Sequence, residues 1–195
     1  MSINKDNYNT LQQELPDHIC LVAVSKTKPV EDIQALYTLG QRDFGENYVQ
    51  ELTEKESLLP KDINWHFIGH LQSNKVKYIA PFVSLIHSID SWKLLEEVNR
   101  QAAKCNRIIN VLLQIHIAEE ETKFGLSYEE AKMVLQNPAL KTLSNVHISG
   151  LMGMSTLTEN AGQIHKEFSG LKNFFEEMKL VQTANCKLNY DRIFF

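Results

Sequence analysis

Short apolar runs alternate with amphipathic stretches along most of the chain, regularly enough to predict its elements. An amphipathic helix around Tyr8 to Leu15 ends at Pro16 and leads into the run Cys20-Leu21-Val22-Ala23-Val24-Ser25, which reads as a strand buried on both faces. Past Pro29 a helix runs to Leu39, with Gly40 as its stop. Arg42 to Gly45 is a second strand. Asn47 opens the next helix, which reaches Leu58, its side chain capping free amides while Gln50 reaches back. Trp65 to Ile68, Phe82 to Ile89, Ile108 to Ile117 and Val146 to Leu151 supply four more strands. Helices follow them from Ser73 to Ala80, Ser91 to Lys104, Ser127 to Gln136 and Ala161 to Lys179. The fifth strand is apolar and β-branched throughout and belongs in the middle of a parallel sheet.

Six consecutive strand-then-helix units with short connections predict a parallel α/β architecture with right-handed crossovers. A (β/α)8 TIM-barrel-type fold fits best, since no G-x-G-x-x-G turn points to a dinucleotide fold. Past Lys179, Tyr190 to Phe195 offers a short seventh strand. The expectation is one domain over residues 1–195, a barrel of six to seven units that is incomplete at its C-terminal end.

Composition narrows the partners. The 195 residues are 43% hydrophobic and 23% charged, ordinary for one domain with a sizeable core. A net charge of −4 leaves no basic footprint for nucleic acid. Residues 1–15 are polar and lack the apolar region of a secretory signal, and no stretch is long enough to span a bilayer. Cys20, Cys105 and Cys186 are odd in number and widely spaced, which suggests reduced thiols in a cytoplasmic protein, with Cys20 and Cys105 as packing residues.

In a β/α barrel the chemistry sits at the C-terminal ends of the strands. There this sequence places Lys26 after strand one, Gly45-Glu46-Asn47 after strand two and Gly69-His70-Leu71-Gln72 after strand three. His87 to Asp90, His116 with Lys123 and Gly125, and Met152-Gly153-Met154-Ser155 follow from strands four to six. Lys26 stands out as an amine carried inward by an apolar strand. Burial and cationic neighbours favour the neutral form of a lysine, which is a Schiff-base nucleophile; the plainer reading is a side chain that snorkels to solvent. Asn47 also serves as a cap, Met152 and Met154 as gap fillers at the barrel mouth, and Lys123 as a solvated turn residue. The seven histidines do not make a metal centre: His66 and His70 straddle a strand end, and no His-x-His occurs on a strand. Strand histidines hydrogen-bonded in the core are the better reading.

Four motifs carry a resemblance. Val22-Ala23-Val24-Ser25-Lys26-Thr27-Lys28-Pro29, Phe44-Gly45-Glu46-Asn47-Tyr48-Val49-Gln50-Glu51, Trp65-His66-Phe67-Ile68-Gly69-His70-Leu71-Gln72 and Gly150-Leu151-Met152-Gly153-Met154 closely resemble the pyridoxal phosphate homeostasis proteins, the YggS/PROSC family, in the family's order. The resemblance implies a relative of the alanine racemase barrel that holds pyridoxal 5′-phosphate (PLP) as a Schiff base on Lys26. Val24, Asn47, His70, Met152 and Met154 are the further cofactor-binding candidates. It implies no catalytic residue, a monomer whose open edge offers a route to self-association, and PLP-dependent apo-enzymes as recipients.

Two features depart from the family. His116 stands where an asparagine is usual, although Glu120, Lys123 and Gly125 keep the following pattern. The family's C-terminal Ser-Met-Gly-Met-Ser and Arg-x-Gly motifs, which supply much of the phosphate cradle, are missing, so weaker PLP binding and lower stability than in a relative with that tail are expected. The alternative is a PLP-dependent amino-acid racemase, which needs a base on each side of the substrate. In alanine racemase one of them is a tyrosine from an added β domain, for which the chain has no residues left.

Overall fold

The computed structural model describes residues 3–120, 123–179 and 193–194. Its centre is a sheet of seven strands in sequence order, every neighbouring pair parallel: β1 (Ala23–Val24), β2 (Asp43–Glu46), β3 (Asn64–Phe67), β4 (Leu85–Ile89), β5 (Ile109–Ile115), β6 (Val146–Gly153) and β7 (Ile193–Phe194). Helices α1 (Lys5–Glu14), α2 (Val30–Thr38), α3 (Val49–Leu58), α4 (Val76–Ile79), α5 (Trp92–Lys104), α6 (Tyr128–Gln136) and α7 (Ala161–Met178), with short 3-10 helices at Ser73–Lys75 and Pro138–Thr142, complete the element order. Sequential parallel strands joined by helices make the expected TIM-barrel-type arrangement.

The core lies between strands and helices. Phe44, Trp65, Phe67, Ile86, Val111, Leu113, Ile148 and Leu151 pack there against Leu52, Leu95, Val98 and Leu135. In α7 the residues Leu171, Phe174, Phe175 and Met178 are buried, the three-and-four spacing of one helical stripe. Local caps fix the helix starts: Ser91 accepts from the Leu94 amide, and Ser127 with Glu130 forms a capping box.

The barrel's inner side is different in kind. A small cluster of Leu85, Leu112 and Met152 fills part of it. Beside it run polar contacts: Asp43 Oδ1 lies 3.0 Å from His66 Nε2, His66 Nδ1 lies 2.9 Å from His87 Nε2, and Asn110 Oδ1 meets His147 Nδ1 at 3.1 Å. His66 and His87 are buried and hydrogen-bonded, as the core reading of the strand histidines expects. Burial, the largest influence on Asp43, raises its carboxyl, but the hydrogen bond and charge of His66, with hydrogen bonds from Asn64 and Cys20, together outweigh it and hold the group below its ordinary value.

Several expectations change. The first strand is not buried on both faces: β1 has two residues, Val24 is 52% exposed, and among the described residues β1 pairs with β2 alone. Strand four begins at Leu85, because Phe82 and Val83 bond back to Ile79 in the turn after α4. Strand six runs on to Gly153. Cys20 is exposed and not packed inside, whereas Cys105 packs against the core; neither is in a disulfide, and Cys186 lies outside the described residues. Of the seventh-strand stretch Tyr190 to Phe195, Ile193 and Phe194 pair with Leu151 and Met152. No helix among the described residues is long and apolar enough to cross a membrane.

Candidate functional site

The pairing register sets the level of each strand end. Val24 lies opposite Gly45, so Lys26 and Asn47, each two residues further on, come off neighbouring strands at one level. The inward, buried amine expected at Lys26 is not found: Lys26 is exposed, on the turn that follows β1. Among the described residues β1 has a neighbour on one side only, and Lys26 lies open to solvent on its exit turn.

That turn is nevertheless held. Thr27 has φ +60°, a left-handed conformation that a β-branched residue adopts at a cost of about 1–3 kcal/mol. Its N–H donates to Glu51 Oε1 at 2.6 Å, and the Lys28 N–H donates to the Ser25 carbonyl at 3.0 Å. Behind the turn lies an ion-pair cluster that the sequence reading missed. Lys55 Nζ donates to Glu46 Oε1 at 2.7 Å and Glu51 Oε1 at 2.6 Å, with the side chains of Lys55 and Glu46 only 6% and 0% exposed. Ser25 Oγ donates to the same Glu46 oxygen at 2.6 Å. Burial raises the Glu46 carboxyl above its ordinary value, and the bonds from Lys55 and Ser25 offset this only in part. The available signal was the Glu51–Lys55 spacing of four, which places both on one side of α3; nothing local points to Glu46.

Asn47 does not cap α3. The helix starts at Val49, the cap position is Tyr48 without a side-chain bond, and Gln50 reaches forward to Glu54. The local pattern is overridden by close backbone packing: a Cβ on Gly69 would stand 2.2 Å from the Asn47 carbonyl oxygen, so β3's exit loop lies hard against Asn47. The Asn47 Oδ1 atom is buried and has no hydrogen-bond partner. An unpaired buried acceptor costs about 1–3 kcal/mol.

The other candidates ring the same end. His70 Nδ1 lies 3.1 Å from Asp90 Oδ2, and its ring stacks on Phe124 with centroids 4.0 Å apart. Met152 is buried against Leu85 and Leu112, while Met154 is 39% exposed beyond the end of β6. His116 Nε2 lies 2.9 Å from the Glu120 carbonyl, and the Lys123 N–H donates to that same carbonyl. A cleft of about 610 Å³ opens between the exit loops of β2 and β3, lined by Asn47, His70, Tyr48, Phe67, Glu51 and Lys75 among others. Asn47 and His70 thus share this cleft, and Lys26, Val24, Met152 and Met154 are not among its lining residues. Among the described residues no three His, Cys, Asp or Glu side chains are grouped to hold a metal ion. The stretch 180–192 lies outside the described residues.

Comparison with known proteins follows the same lines. The model of the alanine racemase N-terminal domain family matches residues 4–188. A pyridoxal phosphate homeostasis protein of Synechocystis is 40% identical over 168 residues, which cover 85% of this chain and 76% of that protein. The chain belongs to the pyridoxal phosphate homeostasis family. A member from Aquifex aeolicus is 39% identical, covering 82% of this chain and 69% of its own. Among solved structures, PipY of Synechococcus elongatus without PLP superposes with a TM-score of 0.87 at 34% identity, covering 94% of this chain and 85% of PipY. The same family member with PLP bound gives a TM-score of 0.83. Alanine racemase from Bartonella henselae, with covalently bound pyridoxal phosphate, shares the fold at a TM-score of 0.69 and 19% identity, with this chain covering 50% of it.

Proposed function

We propose that this chain binds pyridoxal 5′-phosphate, carries it covalently on the ε-amine of Lys26, and serves PLP homeostasis without catalysing a reaction of its own. The observation that carries this is the pairing of Lys26 with Asn47: an accessible amine and a buried, partnerless carboxamide oxygen at one level of adjacent strand ends. Likeness to PipY, solved with PLP bound, supports it.

The residues fit the group. PLP supplies an aldehyde, with which an amine condenses with loss of one water, and an anionic phosphate. Lys26 provides the amine. Asn47 Oδ1 would accept a hydrogen bond from a donor on the bound cofactor, which would remove the cost of its isolation. Met152 gives the mouth an apolar floor, with Val24 and Met154 at its rim, and Asp90 orients the imidazole of His70. On this reading the recipients are PLP-dependent apo-enzymes of the cytoplasm, and the carrier is a monomer. A racemase would need a second base across the substrate plane.

Borohydride reduction of PLP-treated protein followed by peptide mapping tests the assignment. Label on Lys26 is expected, and label on Lys28 or Lys123 in its place would show it to be wrong. Incubation of the loaded protein with L-alanine is expected to yield no D-alanine above background; turnover like that of a dedicated racemase would reject the carrier reading.

A further inference from the structure

The contacts on the two flanks of Lys26 come from one helix. Lys55 of α3 donates to the Ser25 carbonyl at 2.7 Å as well as to Glu46 and Glu51, and Glu51 takes the Thr27 N–H. Ser25 is therefore held by its carbonyl and, through Glu46, by its hydroxyl, while Thr27 is held by its amide. None of these contacts uses the Lys26 side chain. Thr27 keeps its left-handed backbone because this acceptor fixes it.

Such a clamp matters because the turn offers two chemically equal amines. Lys26 and Lys28 are both exposed and two residues apart. A lysine side chain is long and flexible, so an unrestrained turn would let either amine reach one ligand carbon. Fixing the backbone on both sides of Lys26 sets the direction of its Cα–Cβ bond and removes that freedom before binding, which is how pre-organised sites gain selectivity.

We infer that Glu51 and Lys55 are positioning residues for Lys26: they fix the turn so that its ε-amine, and not that of Lys28, meets the cofactor. The inference rests on Lys26 as the attachment point.

The test uses the full chain with Glu51→Ala and Glu51→Gln. In cofactor-free protein, exchange of the Thr27 amide should rise by about tenfold or more in Glu51→Ala, the loss of one charge-assisted bond. Glu51→Gln, which keeps an acceptor in place, should restore most of the protection. After PLP addition, borohydride reduction and mapping, wild type should carry label on Lys26 alone, and Glu51→Ala should spread it to Lys28. A Glu51→Ala variant that exchanges and labels like wild type overturns the inference. Label away from Lys26 in wild type overturns it together with the attachment point, and the wild-type digest tells the two failures apart. Should Glu51→Ala not fold, Glu51→Met, which keeps the aliphatic stem but deletes the acceptor, carries the test: unchanged Thr27 exchange and label confined to Lys26 would overturn the clamp.

Discussion

Removing Lys55 should destabilise the protein in a way that depends on pH and is repaired by a second substitution. Lys55→Met keeps the length of the aliphatic stem and deletes the charge that faces Glu46, whose side chain is fully buried. Three acceptors lose the ammonium, but not equally. The Ser25 carbonyl still receives the Lys28 N–H, and Glu51, 23% exposed, can turn to water. Glu46 keeps only Ser25 Oγ, and its Oε2 already lacks a partner. The uncompensated charge is thus that of Glu46. Breaking a buried pair by removing one member costs about 3–5 kcal/mol, and because two of the three acceptors recover, about 3 kcal/mol at neutral pH is expected.

The sign with pH follows from the same carboxylate. Burial already raises Glu46 above its ordinary value, and Lys55 opposes that rise. In the variant the folded state therefore binds a proton over a wider window above the ordinary carboxylate range than the unfolded state does. Stability falls as pH climbs through that window and returns as pH drops below it. Urea melts at several pH values should show the deficit largest above neutrality and shrinking toward pH of about 5. Lys55→Met combined with Glu46→Leu replaces both charges by apolar groups and should recover to within about 1–2 kcal/mol of wild type. A single-variant loss under about 1 kcal/mol at neutral pH, a loss independent of pH, or a double variant less stable than the single one would refute the reasoning.

Lys26→Ala should abolish covalent PLP by peptide mapping yet leave denaturant stability within about 0.5 kcal/mol, since the side chain is exposed. Asn47→Ala removes a buried acceptor that has no partner, so thermal stability should hold or rise while PLP affinity, read by spectroscopic titration, falls by about tenfold; a less stable variant with unchanged affinity would count against Asn47 as a ligand. Gly69→Ala places a methyl 2.2 Å from the Asn47 carbonyl oxygen, a backbone atom that cannot turn aside, and should cost about 1–3 kcal/mol in a chemical melt. Asp43, held below its ordinary value by His66, contributes stability that is present above the ordinary carboxylate range and lost as pH falls through its lowered value. Asp43→Asn should accordingly be less stable at neutral pH by about 1–3 kcal/mol and show a shallower acid limb.

The order of strands and helices was legible from periodicity because strands covered by helices on a parallel sheet must be apolar, and Ile109 to Ile115 or Val146 to Gly153 can hide nowhere else. The four motifs named the family for the same reason that they mark the site: they fall at strand ends, where loops carry function. What failed was burial and pairing. Leu21 to Val24 has the composition of a central strand, yet Val24 stands half exposed because a strand's cover depends on the neighbours that arrive from elsewhere in the chain. Asn47 and Gln50 match a capping pattern, but α3 starts at Val49, and the backbone of Asn47 is packed against Gly69. Lys55 drew no reading from the sequence; it is buried because α3 sets it against Glu46 on β2 and the Ser25 carbonyl at the end of β1. A pattern of apolar positions states which face of an element must leave water, whereas the meeting of two buried polar groups is set by distances between elements, and those exist only once the chain has folded.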